Sequence, residues 1–285
     1  MRRTFLGLPE APERARVALI PAPYDATTSF RPGTRFGPRA LLEVSPYMEF
    51  FDEETGEKPQ ETLGFYTLEE PELPAEPEKA LEVLSGRVEE VLSAGKLPVL
   101  LGGEHTVSLA ALRVLRRAHG PFRLLYLDAH LDLRESYQET PWSHACVLRR
   151  AVELGLEPLV VGARSLSEEE FHFLKKAEIP VLWAREFRET PERVRQRLEE
   201  FLRGPLYVSL DLDVFDPAEA PGVGTPEPGG LSWYEVLGIL RQAARAPVLG
   251  FDLVELLPLP GDPRTEYLAA RLLFKFLAYL SAARP

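Results

Sequence analysis

Seven short apolar runs rich in Val, Ile and Leu constrain the fold of this chain more than any other feature. They are Val17 to Ile20, Leu97 to Leu101, Leu124 to Leu127, Leu159 to Val161, Pro180 to Trp183, Leu206 to Leu210 and Val248 to Phe251. Runs this short, without polar alternation, read as strands buried on both faces of a parallel sheet. Stretches with helical spacing separate or follow them: Pro77 to Ala94, Val107 to Ala118, Ala145 to Leu154, Ser167 to Ala177, Thr190 to Leu202, Ser232 to Ala244 and Asp262 to Ala283. The alternation predicts a single three-layer α/β/α domain over residues 1–285 with a mostly parallel sheet. Two helix starts, at Ser167 and Thr190, place a hydroxyl where it can accept an orphan amide and acids where they oppose the dipole.

Composition narrows the function. The chain carries 33 Lys plus Arg against 44 Asp plus Glu, a formal net charge of -11, which disfavours nucleic acid as a partner. A lone cysteine, Cys146, provides neither an internal disulfide nor a thiolate cage. Arg2 and Arg3 precede no apolar stretch of secretory length, and Arg271 and Lys275 interrupt the apolar stretch Tyr267 to Ala283. A cytoplasmic protein without a membrane span is expected. The absence of asparagine, with only four glutamines and 27 prolines, matches the composition of some heat-stable proteins.

Polar groups follow four of the apolar runs: Gly102-Gly103-Glu104-His105, Asp128-Ala129-His130-Leu131-Asp132, Asp211-Leu212-Asp213 and Asp252-Leu253-Val254-Glu255. In open parallel sheets ligands bind in the crevice beyond the C-terminal ends of the strands, so these segments are expected to converge. The period of two in Asp128-x-His130-x-Asp132 and in Asp211-x-Asp213 puts the side chains on one side of an extended backbone. His105, Asp128, His130, Asp132, Asp211 and Asp213 can therefore surround two metal ions. About four negative charges then meet about four positive ones, with both imidazoles neutral. The donor set suits Mn2+, with Ni2+, Co2+ or Zn2+ as alternatives. Taken singly, a histidine at a strand end is more often a core residue and an Asp-x-Asp a turn; the joint pattern carries the argument. Of the remaining histidines, His144 lies soon after the second segment, whereas His119 and His172 fall in surface helical patterns. Gly102-Gly103-Glu104-His105-Thr106 lacks the lysine of a P-loop, residues 222–227 break the dinucleotide fingerprint, and no Gly-x-Ser-x-Gly elbow is present.

The segments Gly102-Gly103-Glu104-His105-Thr106, Asp128-Ala129-His130-Leu131-Asp132 and Ser209-Leu210-Asp211-Leu212-Asp213-Val214-Phe215-Asp216-Pro217 resemble the ureohydrolase (arginase/agmatinase) family. The likeness continues through residues 221–231 and Gly250-Phe251-Asp252-Leu253-Val254-Glu255. It implies an arginase-like fold and a dimanganese site in which His105, Asp128, Asp132 and Asp211 bind one ion or bridge both, while His130 and Asp213 complete the second. Residues 31–40 and Asp132-Leu133-Arg134 look like the agmatinase branch, since arginases tend to carry asparagine where Arg134 stands. A guanidinium there would repel the α-ammonium of arginine. Val223 and Ser143-His144-Ala145 depart from the common agmatinase pattern.

The resemblance implies hydrolysis of the guanidino group of agmatine, or of a guanidino-polyamine such as aminopropylagmatine, to urea and a primary amine, as in polyamine synthesis. Asp132 is placed to move a proton, and Glu255 to pair with the guanidinium as a charge-assisted fork. Thr225 is expected in that pocket. His144 is expected to shuttle protons near the mouth, because its intrinsic pKa lies near neutrality. Arg134 and Trp142 bound a loop whose acids and aromatics suit a cationic substrate tail. Arginase, guanidinobutyrase and formiminoglutamase-type activities are the alternatives, and a non-catalytic metal-bearing scaffold is the alternative of a different class. The family likeness also implies a homo-oligomer, a trimer or hexamer.

Overall fold

The computed structural model describes residues 3–283. Eight strands form one sheet: β1 (Val17–Ala22), β2 (Phe65–Thr67), β3 (Leu97–Gly102), β4 (Arg123–Leu127), β5 (Glu157–Val161), β6 (Val181–Leu182), β7 (Leu206–Asp211) and β8 (Val248–Val254). Their order is β2-β1-β3-β8-β7-β4-β5-β6, and every pairing between them is parallel. Ten α-helices accompany them among the described residues: α1 (Gly37–Val44), α2 (Pro59–Thr62), α3 (Pro77–Ser93), α4 (Ser108–His119), α5 (Val147–Glu153), α6 (Glu168–Lys176), α7 (Glu186–Glu189), α8 (Pro191–Phe201), α9 (Trp233–Ala243) and α10 (Arg264–Ala282).

Strand side chains alternate between two cores. Val17, Leu19, Leu125, Leu127, Val208 and Leu210 pack with residues of α1, α8, α9 and α10. Ala18, Ile20, Leu124, Tyr126, Val160 and Tyr207 pack with residues of α3, α4, α5 and α6. The result is the expected three-layer α/β/α arrangement.

All seven expected strands and all seven expected helices are present, with boundaries shifted by a few residues. The sequence pattern missed β2, α1, α2 and α7, which are short, and two of which start at Gly-Pro or Pro. The expected run Pro180 to Trp183 contributes only Val181–Leu182, because Pro180 has no N–H to give; its carbonyl accepts from Val160 instead. At Ser167 the expected cap is realised as a capping box with Glu170. Thr190 makes no such cap: it closes α7, and its hydroxyl donates back to the Glu186 carbonyl.

The strand order reverses direction around the middle of the sheet, where β3, β8, β7 and β4 lie side by side. The four polar segments follow these four strands. Topology thus brings residues separated by as many as 150 positions in the chain to one crevice.

Candidate metal centre and active site

Backbone geometry sets the site. After β3 the chain passes so close to Tyr24 that a Cβ on Gly103 would lie 1.9 Å from the Tyr24 carbonyl oxygen, so no other residue fits there. The Tyr24 carbonyl accepts the Glu104 N–H at 2.7 Å, and the Gly103 carbonyl accepts the Glu255 N–H at 2.8 Å. Asp132 (φ 47°) and Glu255 (φ 63°) both occupy the left-handed region, which is uncommon for residues other than glycine. Strain at two of the candidate site residues is the pattern of a site held by its surroundings.

The six expected ligands come together. His105 Nδ1 lies 3.0 Å from Asp128 Oδ2, 3.1 Å from Asp211 Oδ2 and 3.4 Å from Asp132 Oδ2. His130 Nδ1 lies 2.9 Å from Asp213 Oδ2 and 3.5 Å from Asp128 Oδ1. Donor atoms of His105, Asp128 and Asp132 form one compact group and those of Asp128, His130 and Asp213 a second, so Asp128 is common to both. Backbone amides orient the carboxylates: Ala129 N donates to Asp213 Oδ1, His130 N to Asp128 Oδ1 and Asp213 N to Asp211 Oδ1.

Charge in this cluster is unbalanced. Burial, then the charge of Asp128, holds Asp132 well above the usual carboxylate range; burial, then Asp213 and Asp128, does the same to Asp211. Burial pulls His105 and His130 down, but the carboxylates around them outweigh it and raise both. The same imidazoles overcome the burial of Asp128 and hold its carboxyl low. Without metal, protons stand where cations would. Asp128 Oδ2 is enclosed and makes no hydrogen bond, although it faces His105 Nδ1. A buried carboxylate oxygen without a donor, ringed by oxygen and imidazole ligands, fits a pair of divalent cations.

Polar groups the sequence reading did not single out support the ligands from below. His105 Nε2 lies 2.8 Å from Ser209 Oγ, the Ser209 hydroxyl donates to Asp252 Oδ1 at 2.8 Å, and the Tyr207 hydroxyl donates to Asp252 Oδ2 at 2.8 Å. That chain leaves Nδ1 of His105 free to ligate an ion. Tyr126, Ser209 and Asp252 are register partners across β4, β7 and β8. Each is a polar side chain in a buried strand, and such a side chain needs a partner; this was the signal available in the sequence.

Glu255 sits beside the cluster. Its Oε1 accepts the His105 N–H at 2.7 Å, and Gly224 packs beside Oε2. Burial and the nearby Glu104 raise its pKa well above the ordinary value. Glu104 is itself buried beneath the site and accepts from Thr27 N and Thr27 Oγ1 at 2.8 and 2.6 Å. Thr27 Oγ1 in turn accepts the His144 N–H at 3.0 Å, and His144 Nδ1 lies 4.0 Å from Glu255 Oε1. His144 departs from the near-neutral titration expected of it. Burial, then the charges of His130 and His105, lowers its pKa to about 4.

These residues face a cavity of about 240 Å³, whose lining includes Asp132, Arg134, Tyr137, His144, Thr225 and Glu255. Thr225 Oγ1 is 3.4 Å from Asp213 Oδ2. Arg134 rests its guanidinium 5.0 Å from the centre of the Tyr137 ring. Trp142 is not among the lining residues: its ring lies under the Arg113 guanidinium at 4.3 Å, on the α4 side. The aromatic at the mouth is Tyr137, from a two-residue hairpin turn through Gln138 and Glu139, both at positive φ. Side-chain direction in that turn does not follow the period of two, so the sequence alone does not say which aromatic of the 134–142 loop, Tyr137 or Trp142, faces the cavity.

A sequence model described as "Arginase family" matches residues 15–278. The N(1)-aminopropylagmatine ureohydrolase of Synechocystis sp. is 38% identical over 273 residues, which span 93% of this chain and 89% of that protein. The crystal structure of agmatine ureohydrolase of Thermoplasma volcanium superposes with a TM-score of 0.87 at 32% identity, covering 96% of this chain and 92% of the other. Proclavaminate amidino hydrolase from Streptomyces clavuligerus superposes with a TM-score of 0.92 at 31% identity, covering 100% and 98%. With the six-ligand crevice and the parallel eight-stranded sheet already in place, these likenesses show that the chain belongs to the arginase family, in its agmatinase branch.

Proposed function

We propose that this chain hydrolyses the guanidino group of agmatine or of a longer guanidino-polyamine such as aminopropylagmatine, giving urea and a primary amine. The observation that carries this reading is the Glu255 carboxylate, fixed through Oε1 by the His105 N–H, in the wall of a cavity also lined by His105, His130, Asp132, Asp211 and Asp213. His105, Asp128, His130, Asp132, Asp211 and Asp213 would hold two divalent ions. Manganese is the proposed metal, and nickel, cobalt and zinc suit the same donors. When bound, two such ions supply a nucleophile at neutral pH and neutralise the carboxylates.

The chain's own residues do the rest. Glu255 Oε2 accepts from the guanidinium and orients its carbon toward the cluster, with Thr225 on the adjoining wall. Asp132 Oδ2 already accepts the Tyr126 hydroxyl at 2.6 Å, which leaves Oδ1 to take a proton and return it to the departing amine. His144, held neutral at pH 7 by burial, lines the cavity beside Glu255. Tyr137 and Arg134 bound the tail of the substrate. Arg134 has no acidic partner among the described residues, which favours a guanidino acid as the second reading. The sequence likeness supports a homo-oligomer, and no described helix is long and apolar enough to cross a membrane. We place the enzyme in the cytoplasm, acting on a small cationic substrate.

The test is urea release by manganese-loaded protein from agmatine, aminopropylagmatine, arginine and 4-guanidinobutyrate in parallel. Urea from either amine, in excess of that from arginine, is the expected result. Urea from guanidinobutyrate alone would transfer the assignment to the guanidino acid, and no urea from any of the four would refute it. Glu255→Gln should keep the metal content and lower kcat/KM roughly 10² to 10³-fold, as the loss of one charged contact in the transition state does.

A further inference from the structure

Tyr126 is fully buried at the heart of β4, and no ligand motif includes it. Its hydroxyl donates to Asp132 Oδ2 at 2.6 Å and lies 3.1 Å from His105 Nδ1. Its ring stacks on the His105 imidazole, with centroids 4.6 Å apart and planes 4° from parallel. These contacts involve two members of one ligand group at once. Asp132 has a φ of 47°, in the left-handed region that local sterics disfavour, and the Tyr126 hydroxyl holds its carboxylate there. His105 is already fixed at Nε2 by Ser209, so stacking by Tyr126 removes the remaining freedom, rotation of the ring out of its plane.

We propose that Tyr126 is a positioning residue of the metal centre, holding Asp132 and His105 in one geometry so that the ion they share is bound more tightly and Asp132 Oδ1 faces the reacting atoms. The inference rests on the reading of the six-ligand cluster as a two-metal site. A tyrosine that merely satisfied the core would need a single acceptor and no particular ring partner, as Tyr207 shows by donating to Asp252 on the same face of the sheet. Residues that orient metal ligands in this way change metal affinity or activity about 10 to 100-fold when replaced.

Tyr126→Phe keeps the ring and removes only the hydroxyl. Calorimetric titration of the metal-free variant with manganese should show one equivalent weakened about tenfold and the other within about twofold of wild type. In steady-state urea release kcat should fall with KM within about twofold, because Glu255 and the cavity walls are untouched. The melting temperature of the metal-free variant, measured beside wild type, reports any purely structural effect. A lower melting temperature with both manganese equivalents bound as in wild type would overturn the proposal while leaving the two-metal reading in place. A wild-type protein that binds no manganese would overturn both.

Discussion

Two charge clusters lie in this molecule, one of them only partly buried, and they are balanced differently. At the start of the 52–57 turn, the Lys275 ammonium of α10 is buried and reaches Asp52 Oδ2 at 2.8 Å, Glu53 Oε1 at 2.7 Å and Glu54 Oε1 at 3.1 Å. Arg271 pairs with Glu53 at 3.1 Å, and Arg241 pairs with Glu54. Three cations meet three acids, all from the chain. In the crevice beyond β3, β8, β7 and β4, the four aspartates face only two imidazoles, and the carboxylates of Glu255 and Glu104 lie close by. The first cluster is a completed structural clamp joining a loop to the last helix. The second carries more carboxylates than cationic groups among the described residues, which is the charge pattern of a site that fits cations.

The largest expected effect that sharpens this contrast is at Asp128, which belongs to both ligand groups. Asp128→Ala should take the metal content from two ions per chain to none and lower turnover by about 10³-fold or more, while the metal-free variant melts below the wild-type temperature, since the carboxylate that His105 and His130 hold ionised is gone. Metal analysis by mass spectrometry and scanning calorimetry measure the two halves; a variant that retains both ions would show that Asp128 is not shared.

Lys275→Met breaks the other cluster. Buried Asp52 loses its cation, and denaturant unfolding should report about 3 kcal/mol of lost stability. The folded variant should still bind two ions with wild-type kinetics. A change in metal stoichiometry there would mean that the clusters are coupled, against the account given.

The smallest effect is in the pH dependence of the metal-free chain. Asp132 and Asp211 have raised pKa values when folded, so the folded state holds protons that the unfolded state releases from about pH 4 upward. His105 and His130 are raised too, and their contribution is lost as pH climbs above about 6.5 through their folded values. His144, lowered to about 4, opposes them only up to about pH 6.5, so metal-free stability should fall as pH rises from 6.5 to 8, and manganese should flatten the slope. A metal-free melting temperature that rises over that range would reverse the charge argument.

The sheet and the convergence of the six candidate ligands were legible because both depend on period and position. Apolar runs ending in His105, Asp128, Asp211 and Glu255 mark the strand ends, and topology does the rest. Residues that act through others were less visible: Tyr126, Ser209 and Asp252 are separated by tens of positions, and only strand register shows that they share one row. Trp142 and Tyr137 could not be told apart, because each faces where its irregular backbone sends it. The titration of His144 depends on burial and on two neighbouring imidazoles, which no local motif encodes.

The central claim is that two divalent ions complete the charge of the crevice. Its most direct test is calorimetric titration of metal-free wild-type protein with manganese near pH 7.5, followed by melting at rising free metal. The expected result is two equivalents per chain and a melting temperature that climbs with concentration, with about 2.7 kcal/mol gained per site when free metal exceeds its dissociation constant a hundredfold. One equivalent or none, with an unchanged melting temperature, would contradict the account.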